Sequence, residues 1–117
     1  MSNMKIDTVR SSSSGTIGRA VSEARGQRLV LDSSSRPQQD ALTNSEAFLA
    51  AIASCGVTLI EAYAQEKSVP VKRIDVTIEG ARAVDEPNRF ASIAMRFEVA
   101  GVSQGEAEHL VETYRSR

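Results

Sequence analysis

The sequence is poor in the residues that most often carry chemistry or recognition. Its 117 residues include one cysteine, one histidine and no tryptophan, and aromatic residues make up only 4%. Scarce aromatics exclude a base-stacking platform for single-stranded nucleic acid. Zinc-type groupings of Cys and His, a phosphate loop and a serine nucleophile elbow are also missing from the sequence. We therefore expect no metal site and no cofactor.

An excess of basic charge is missing as well. Lys and Arg total 14 against 15 Asp and Glu, which gives a formal net charge of -1. Proteins that bind phosphate backbones carry a clear basic excess. Nucleic acid is therefore not an expected partner.

Signals for secretion and for membrane insertion are not apparent. The first ten residues lack the apolar stretch of a secretory signal. The longest apolar run, Ala47–Ile60, contains Ser54 and Thr58 and falls short of the roughly 20 residues that span a bilayer. The lone cysteine cannot form an internal disulfide, which fits a reducing compartment. We expect one domain, residues 1–117, in the cytoplasm and without a membrane partner.

The first third of the chain has the pattern of an antiparallel meander, with strands within about residues 4–32. Strand candidates are Lys5–Val9, Thr16–Val21 and Gln27–Asp32. The run SSSSG, residues 11–15, and the run EARG are interpreted as turns. A polar loop follows, in which nothing demands regular structure.

A long helix is predicted over about residues 44–67. Thr43 and Glu46 fit a capping box, in which each side chain bonds the other residue's backbone N–H. Small residues such as Ala50, Ala53 and Gly56 leave parts of the helix thin enough for another helix to approach closely. Pro70 follows the polar last turn.

The remaining residues predict a hairpin and a second helix. Two runs with a period of two lie within about residues 71–100, joined by a polar link. Ser103 and Glu106 form a second capping-box match and open a helix over about 103–116. The fold class expected from this order is mixed α/β.

The residues around Cys55 support two interpretations. In the first, Cys55 is a small core hydrophobe and Glu46 is only a helix cap. In the second, Cys55 is a reactive thiolate that a cation from another segment stabilises. Nine residues separate Glu46 from Cys55, about 180° around a helix and about 13 Å along it, so the two cannot touch within one straight helix.

The candidate cations and the histidine also have interpretations without a chemical role. The arginines considered for contact with the thiol are Arg10, Arg19, Arg25 and Arg28. Each is otherwise a solvated strand or turn residue. His109 is expected at the surface or boundary of the last helix rather than in chemistry. Tyr63, eight residues beyond Cys55, is expected in the core.

The central helix resembles that of a known family. The segment TNSEAFLAAIASCGVTLIEAYAQEKSVPVKRIDVTIEG is similar to the OsmC/Ohr family, the osmotically inducible and organic hydroperoxide resistance proteins. The hallmark residues here are Ser45, Glu46, Phe48, Leu49, Ala50, Ala51, Ser54 and Cys55. The run GRAVS, residues 18–22, resembles an N-terminal hairpin segment of the hydroperoxide resistance branch.

The resemblance implies an α/β domain with antiparallel sheets around a long central helix, assembled as an intertwined homodimer. It also implies that Cys55 is the catalytic thiol of a peroxidase, oxidised by an organic hydroperoxide to a sulfenic acid. Glu46 would then orient the activating arginine. A site built across two subunits would remove the need for Glu46 and Cys55 to meet within one helix.

The sequence departs from that pattern in three respects. The spacing from Glu46 to Cys55 is more similar to that of the general OsmC-like branch than to that of the hydroperoxide resistance branch. Thr16 stands near the position of the family's catalytic arginine, and the resolving cysteine is not found before the sequence ends at Arg117. We therefore expect an OsmC-like branch member that uses an external thiol as reductant. The alternative is a non-catalytic, stress-associated OsmC-like dimer in which Cys55 is a core residue.

Overall fold

The computed structural model describes residues 3–116, which form two compact units. The first unit runs up to Ala47 and the second begins at Phe48. The elements in chain order are β1 (Arg10–Ser13), β2 (Arg19–Ala24), β3 (Gln27–Asp32), α1 (Asn44–Glu66), β4 (Arg73–Ala81), β5 (Ser92–Ala100) and α2 (Gln104–Arg115). The expected mixed α/β architecture with antiparallel sheets and one long helix is confirmed.

The first unit holds an antiparallel sheet in the order β1-β2-β3. Strands β2 and β3 are joined by a tight turn at Arg25 and Gly26, whose φ angles of 52° and 81° both lie in the left-handed region. Two successive left-handed residues are the signature of the primed turns that match strand twist. The register pairs Ala24 with Gln27 and Arg19 with Asp32.

The first strand differs from the sequence prediction. Residues 5–9 lie outside the sheet, whereas Ser11–Ser13, interpreted as a turn, belong to β1. A strand is defined by its hydrogen-bonded neighbour, and β2 pairs with Arg10–Ser13 rather than with the preceding residues. The hydroxyls of Ser11 and Ser22 lie 2.7 Å apart across this pair. The prediction of a strand at Lys5–Val9 was therefore wrong, and the predicted turn at residues 11–15 was wrong for residues 11–13.

The ends of α1 follow from local chemistry. The Thr43 hydroxyl accepts from the Glu46 N–H at 3.1 Å, and the Glu46 carboxylate accepts from the Thr43 N–H at 2.9 Å, so the predicted capping box is confirmed. At the other end Ser68 has a φ of 55°. The N–H of Val69 then donates to the carbonyl of Ala64 at 2.8 Å. This is the Schellman arrangement that closes a helix.

The second unit packs its two helices with the β4-β5 hairpin. Ile74, Val76 and Ile78 alternate with exposed residues along β4, and Met95, Phe97 and Val99 do so along β5. Ile60, Ala64 and Leu110 are buried at the centre. Full burial of a side chain the size of Ile or Leu stabilises a fold by about 1.5–3 kcal/mol. The predicted hairpin and second helix are confirmed, including the capping box of Ser103 and Glu106.

Gly56 has a role different from the one expected of it. The sequence suggested that small residues such as Gly56 admit a neighbouring helix. In the structure a Cβ at Gly56 would lie 3.3 Å from the Phe97 ring and 3.4 Å from the end of Met95. Gly56 therefore lets the β5 side chains approach the α1 backbone.

Candidate functional site

Cys55 lies on an exposed face of α1. The thiol-bearing residue is exposed, and so are Phe48 and Leu59, with 54% and 52% of their surface accessible. Phe48 precedes Cys55 by seven residues and Leu59 follows it by four. At about 100° per residue these three side chains share one face of the helix. In the single chain Cys55 is therefore part of an apolar surface and is not buried in the core.

Glu46 forms hydrogen bonds with Thr43 at the start of its own helix. Its carboxylate accepts the Thr43 N–H, and its backbone N–H donates to the Thr43 hydroxyl. An acidic residue in the first turn also interacts favourably with the helix dipole. Glu46 and Cys55 belong to the same helix, and no hydrogen bond joins them in the part of the chain that the structure describes.

Arg19, the candidate arginine within GRAVS, is bound to carboxylates. Its Nε donates to Asp32 Oδ2 at 3.0 Å, and its Nη2 donates to Asp40. The side chain of Arg19 is 21% exposed and that of Asp32 is 2% exposed. Ion pairing and partial burial hold this guanidinium in the first unit, where its contacts are structural.

The other candidate arginines differ in their surroundings. Arg28 donates from Nε to Glu23 at 3.1 Å on the exposed sheet surface. Arg10 stands directly opposite Glu23 in the register of β1 and β2. Arg25 occupies the left-handed turn. Within the second unit, as far as residue 116, no hydrogen bond or ion pair connects a cation to Cys55.

Asp32 organises the loop before α1, a role that the sequence pattern did not reveal. Its buried carboxylate accepts the backbone N–H of Ser34 at 3.0 Å and that of Gln38 at 3.1 Å, besides the Arg19 guanidinium. Hydrogen bonds from the Ser34 side chain, from these two N–H groups and from Arg19 hold the pKa of Asp32 well below its usual range.

His109 and Tyr63 join the two helices of the second unit. The Tyr63 hydroxyl and His109 Nε2 lie 3.3 Å apart, with ring centroids separated by 6.2 Å. Tyr63 also packs against the core, as expected. His109 is exposed on α2, which agrees with the expected surface position.

A second aromatic group was not anticipated. The rings of Phe48 and Phe90 are stacked, with centroids 6.0 Å apart and planes 15° apart. The Arg82 guanidinium lies 5.6 Å from the Phe90 centroid. A Cβ at Gly80 would lie 2.4 Å from this ring. Gly80 thus provides the space in which Phe90 lies against β4. In the sequence, the sign of this packing is Gly80 itself, which interrupts the alternation of apolar residues along β4.

The part of the chain that the structure describes contains no cluster of side chains suited to bind a metal ion. No group of three or more His, Cys, Asp or Glu side chains in residues 3–116 has an arrangement that could hold a metal ion. The chemistry available at the exposed face of α1 is that of a thiol next to apolar side chains.

A comparison with protein families identifies the family to which this chain belongs. A family model described as OsmC-like protein matches residues 37–117. The chain belongs to the OsmC-like family. The match covers the later part of the polar loop, α1, the β4-β5 hairpin and α2, so it includes both Glu46 and Cys55. Among curated protein sequences, none matches the chain significantly.

Solved structures of OsmC-like and hydroperoxide resistance proteins share the fold. An OsmC-like protein from Mycoplasma pneumoniae superposes with a TM-score of 0.81 at 17% identity, covering 97% of this chain and 82% of that one. An organic hydroperoxide resistance protein OsmC from Legionella pneumophila gives 0.72 at 19% identity, covering 98% and 85%. The organic hydroperoxide resistance protein OhrB of Bacillus subtilis gives 0.63 at 14% identity, covering 96% and 84%. At these identities the likeness establishes the fold.

Membership in this family also bears on whether α1 could span a membrane. By length and composition alone this helix could cross a membrane, and only 17% of its most apolar window is buried. Because the chain belongs to the OsmC-like family, we interpret α1 as a core helix and not as a membrane span.

Proposed function

We propose that the protein is a thiol-dependent peroxidase that reduces organic hydroperoxides at Cys55, acting as a cytoplasmic homodimer with an external thiol as reductant. The observation that carries the proposal is the exposure of Cys55 on an apolar helix face in an OsmC-like chain. Two structural neighbours are named organic hydroperoxide resistance proteins, which supports a hydroperoxide as substrate.

The proposed oxidation is a two-electron transfer. The Cys55 thiolate attacks the terminal oxygen of the hydroperoxide, a sulfur–oxygen bond forms, and the oxygen–oxygen bond breaks. The leaving alkoxide takes up one proton and departs as the alcohol, while Cys55 becomes a sulfenic acid. The peroxide is reduced and the sulfur is oxidised by the same two electrons.

The reductive half requires two external thiols, because the 117 residues contain one cysteine. The first thiol condenses with the sulfenic acid to a mixed disulfide and releases water. The second attacks the mixed disulfide, which returns the Cys55 thiol and yields the oxidised disulfide of the reductant. A dithiol such as dithiothreitol can supply both equivalents.

Phe48 and Leu59 define the environment in which this thiol would work. Their exposed apolar surface favours the carbon portion of an organic hydroperoxide over hydrogen peroxide, which has no apolar surface to bury. A second copy that packs on this face would exclude water around the thiol. Small residues on α1 would allow the two central helices to approach closely.

Glu46 has a defined place in the proposal. Its negative charge would orient a cation contributed across the dimer, and that cation would stabilise the Cys55 thiolate. Arg10 and Arg25 are candidates because, unlike Arg19, they form no ion pair within residues 3–116. The cap provided by Thr43 would hold the Glu46 side chain in position.

A non-catalytic dimer is the second candidate function. It is favoured by one observation, the engagement of Arg19 by Asp32 and Asp40, which leaves this arginine structural. In that case the apolar face around Cys55 serves only assembly.

Steady-state turnover separates the two functions. Consumption of cumene hydroperoxide is measured with dithiothreitol for the wild type and for Cys55→Ser. Thiol-dependent turnover that disappears in the variant supports the peroxidase. Equal rates for the two proteins, or no rate above buffer, reject it in favour of the non-catalytic dimer.

A further inference from the structure

Thr58 lies beside Cys55 on the exposed face of α1. Residues three positions apart on a helix are neighbours, with Cβ atoms about 5–6 Å apart, and both of these residues are exposed. Helical side chains lean toward the start of the helix, so Thr58 and Leu59 cover the turn that carries the thiol. Thr58 is therefore placed to contact a molecule that reaches Cys55.

A hydroxyl is rare among the side chains that surround this thiol. On a helix, a residue faces those three and four positions away and does not face those one or two positions away. For Cys55 these neighbours are Ala51, Ile52, Thr58 and Leu59. Three of the four are apolar, and the run from Ala47 to Ile60 contains no charged residue. Polar recognition next to the thiol by α1 itself therefore depends on Thr58.

The proton of the Thr58 hydroxyl is already in use. Thr58 Oγ1 donates to the carbonyl oxygen of Ser54 at 3.1 Å, a bond that threonine often forms in helices. A hydroxyl has one proton to donate and two lone pairs that accept. Among residues 3–116, no other hydrogen bond involves this side chain. The Thr58 hydroxyl is therefore set to accept a hydrogen bond from a ligand rather than to donate one.

A hydrogen-bond acceptor beside the thiol fits a hydroperoxide. The O–H of a hydroperoxide is on its terminal oxygen, which is the atom that the Cys55 thiolate attacks in the proposed reaction. A hydrogen bond from this O–H to Thr58 Oγ1 would hold the terminal oxygen close to the sulfur. Dialkyl peroxides and peroxy esters have no O–H and could not form this bond.

We propose that Thr58 binds the hydroperoxide group of the substrate and orients its terminal oxygen toward Cys55. The inference rests on the proposed function, and it names the substrate feature that the site recognises. When the sulfur–oxygen bond forms and the oxygen–oxygen bond breaks, the terminal oxygen keeps its hydrogen and becomes the oxygen of the sulfenic acid. The leaving alkoxide takes its proton from water. The hydrogen bond to Thr58 therefore persists from the substrate to the sulfenic acid.

Removal of the hydroxyl tests this role. Thr58→Val keeps the shape of the side chain, and the Ser54 carbonyl keeps its bond from the helix backbone. The second-order rate constant for oxidation of Cys55 by cumene hydroperoxide should fall about five-fold, which is the contribution of a typical neutral hydrogen bond. Thr58→Ser retains the hydroxyl and should remain within about two-fold of the wild type. Thr58→Ala, which favours the helix, should lose as much as Thr58→Val.

Thr113→Val is the matched control for the loss of a threonine hydroxyl from a helix. Thr113 Oγ1 donates to the His109 carbonyl at 2.9 Å, the same type of bond, but in α2. This variant should oxidise at the wild-type rate. A loss equal to that of Thr58→Val would show that the helical hydrogen bond matters rather than contact with the substrate, and would overturn the proposal.

A reagent without a hydrogen-bond donor separates orientation of the peroxide from reactivity of the thiol. Methyl methanethiosulfonate reacts with thiols and has neither an O–H nor an N–H group. Thr58→Val should react with it at the wild-type rate. A five-fold loss with this reagent as well would overturn the proposed hydrogen bond, because the thiol itself would be changed.

Hydrogen peroxide provides a second substrate with the same group. Since it also has an O–H, Thr58→Val should slow its reaction by about the same factor as that of cumene hydroperoxide. A loss confined to cumene hydroperoxide would assign an apolar contact to Thr58 and overturn the hydrogen bond.

Failure of this inference is distinguishable from failure of the proposed function. If cumene hydroperoxide oxidises the wild type, Thr58→Val and Thr58→Ala equally fast, while Cys55→Ser does not react, the role of Thr58 alone is overturned. A wild type in which the hydroperoxide leaves Cys55 unmodified would overturn the proposed function and this inference together.

Discussion

Arg19 Nε lies 3.0 Å from Asp32 Oδ2, in a contact where the Asp32 side chain is almost fully buried. This pair fixes the loop before α1 and commits the arginine to a structural role. If the chain is a peroxidase, the cation that activates Cys55 must come from another residue. The proposed chemistry therefore requires that Glu46 and a cation other than Arg19 reach the Cys55 thiol.

The first prediction concerns the stability provided by Asp32. Asp32→Asn removes the charge that binds Arg19 and two backbone N–H groups, so the urea midpoint should fall at pH 7. The control is Asp75→Asn, which removes an exposed carboxylate paired with Arg73 and should lower the midpoint far less. Similar shifts for the two variants would contradict the structural role of the Asp32 cluster.

The second prediction is the pH dependence of that contribution. The pKa of Asp32 is lowered in the folded state, so the stabilisation is fully present above the unfolded carboxyl pKa of about 3.9. It is lost as the pH falls from there through the folded pKa. The midpoint difference between wild type and Asp32→Asn should be constant from pH 7 to pH 5 and should shrink below about pH 4. A difference that already disappears between pH 7 and pH 5 would contradict this assignment.

The third prediction separates the structural and chemical roles of Glu46. Glu46→Gln can still accept the Thr43 N–H, because glutamine also forms a capping box. Loss of the charge should lower the free energy of unfolding by only about 0.5 kcal/mol. If the carboxylate orients a cation, the peroxidase rate should nevertheless fall more than ten-fold.

Thr43→Ala is the matched control for that experiment. It removes the hydroxyl cap and should cost about 1 kcal/mol of stability, with a smaller effect on the rate than Glu46→Gln. A Glu46→Gln protein that turns over at the wild-type rate would leave Glu46 with a capping role only.

The fourth prediction tests the packing of Phe90 on Gly80. An added Cβ would lie 2.4 Å from the ring, so Gly80→Ala must displace Phe90 from its stack with Phe48. Overpacking of this kind costs about 1–3 kcal/mol, measured as the free energy of unfolding. Gly105→Ala adds the same atom where nothing lies within 4 Å and should stabilise α2 by up to about 1 kcal/mol. If both substitutions stabilise the protein, the described packing is wrong.

The fifth prediction concerns the exposed face of α1. Leu59→Lys places a charge on the apolar face next to Cys55 and should raise the dimer dissociation constant at least ten-fold in sedimentation equilibrium. Gln65→Lys adds the same charge at an exposed position about 120° away around the helix and should have a much smaller effect. Equal effects would indicate that this face does not form the dimer contact.

The sequence was most informative where structure is decided locally. The capping boxes of Thr43 with Glu46 and of Ser103 with Glu106 depend on residues three positions apart, and both helices begin where these pairs predict. The alternation along β4 and β5 likewise records which face meets the core. These elements could be bounded to within a few residues.

The first strand could not be located in the same way. Lys5–Val9 has a strand pattern, but β2 pairs with the serine run that follows it. The choice between these neighbours depends on partners distant in sequence, or on another chain. The burial of Asp32 was equally hidden, because it arises only when the loop after β3 folds back over its carboxylate.

For the candidate site, the family resemblance suggests Cys55 and Glu46 as site residues but does not give their surroundings. The apolar run around Cys55 suggested burial, whereas the single chain leaves this face of α1 exposed. An apolar pattern in a sequence indicates that the surface is covered in the folded or assembled protein, but it does not identify the molecule that covers it. The cation that the proposed chemistry requires is hidden for the same reason.

A single-turnover reaction tests the central claim most directly. Reduced protein is mixed with one equivalent of cumene hydroperoxide in the absence of any thiol, and the alcohol released and the mass of the Cys55 peptide are measured. The account predicts one equivalent of alcohol per chain and a sulfenic acid at Cys55 that dithiothreitol reverses. Alcohol formation no greater than that of Cys55→Ser, with Cys55 left unmodified, would contradict it.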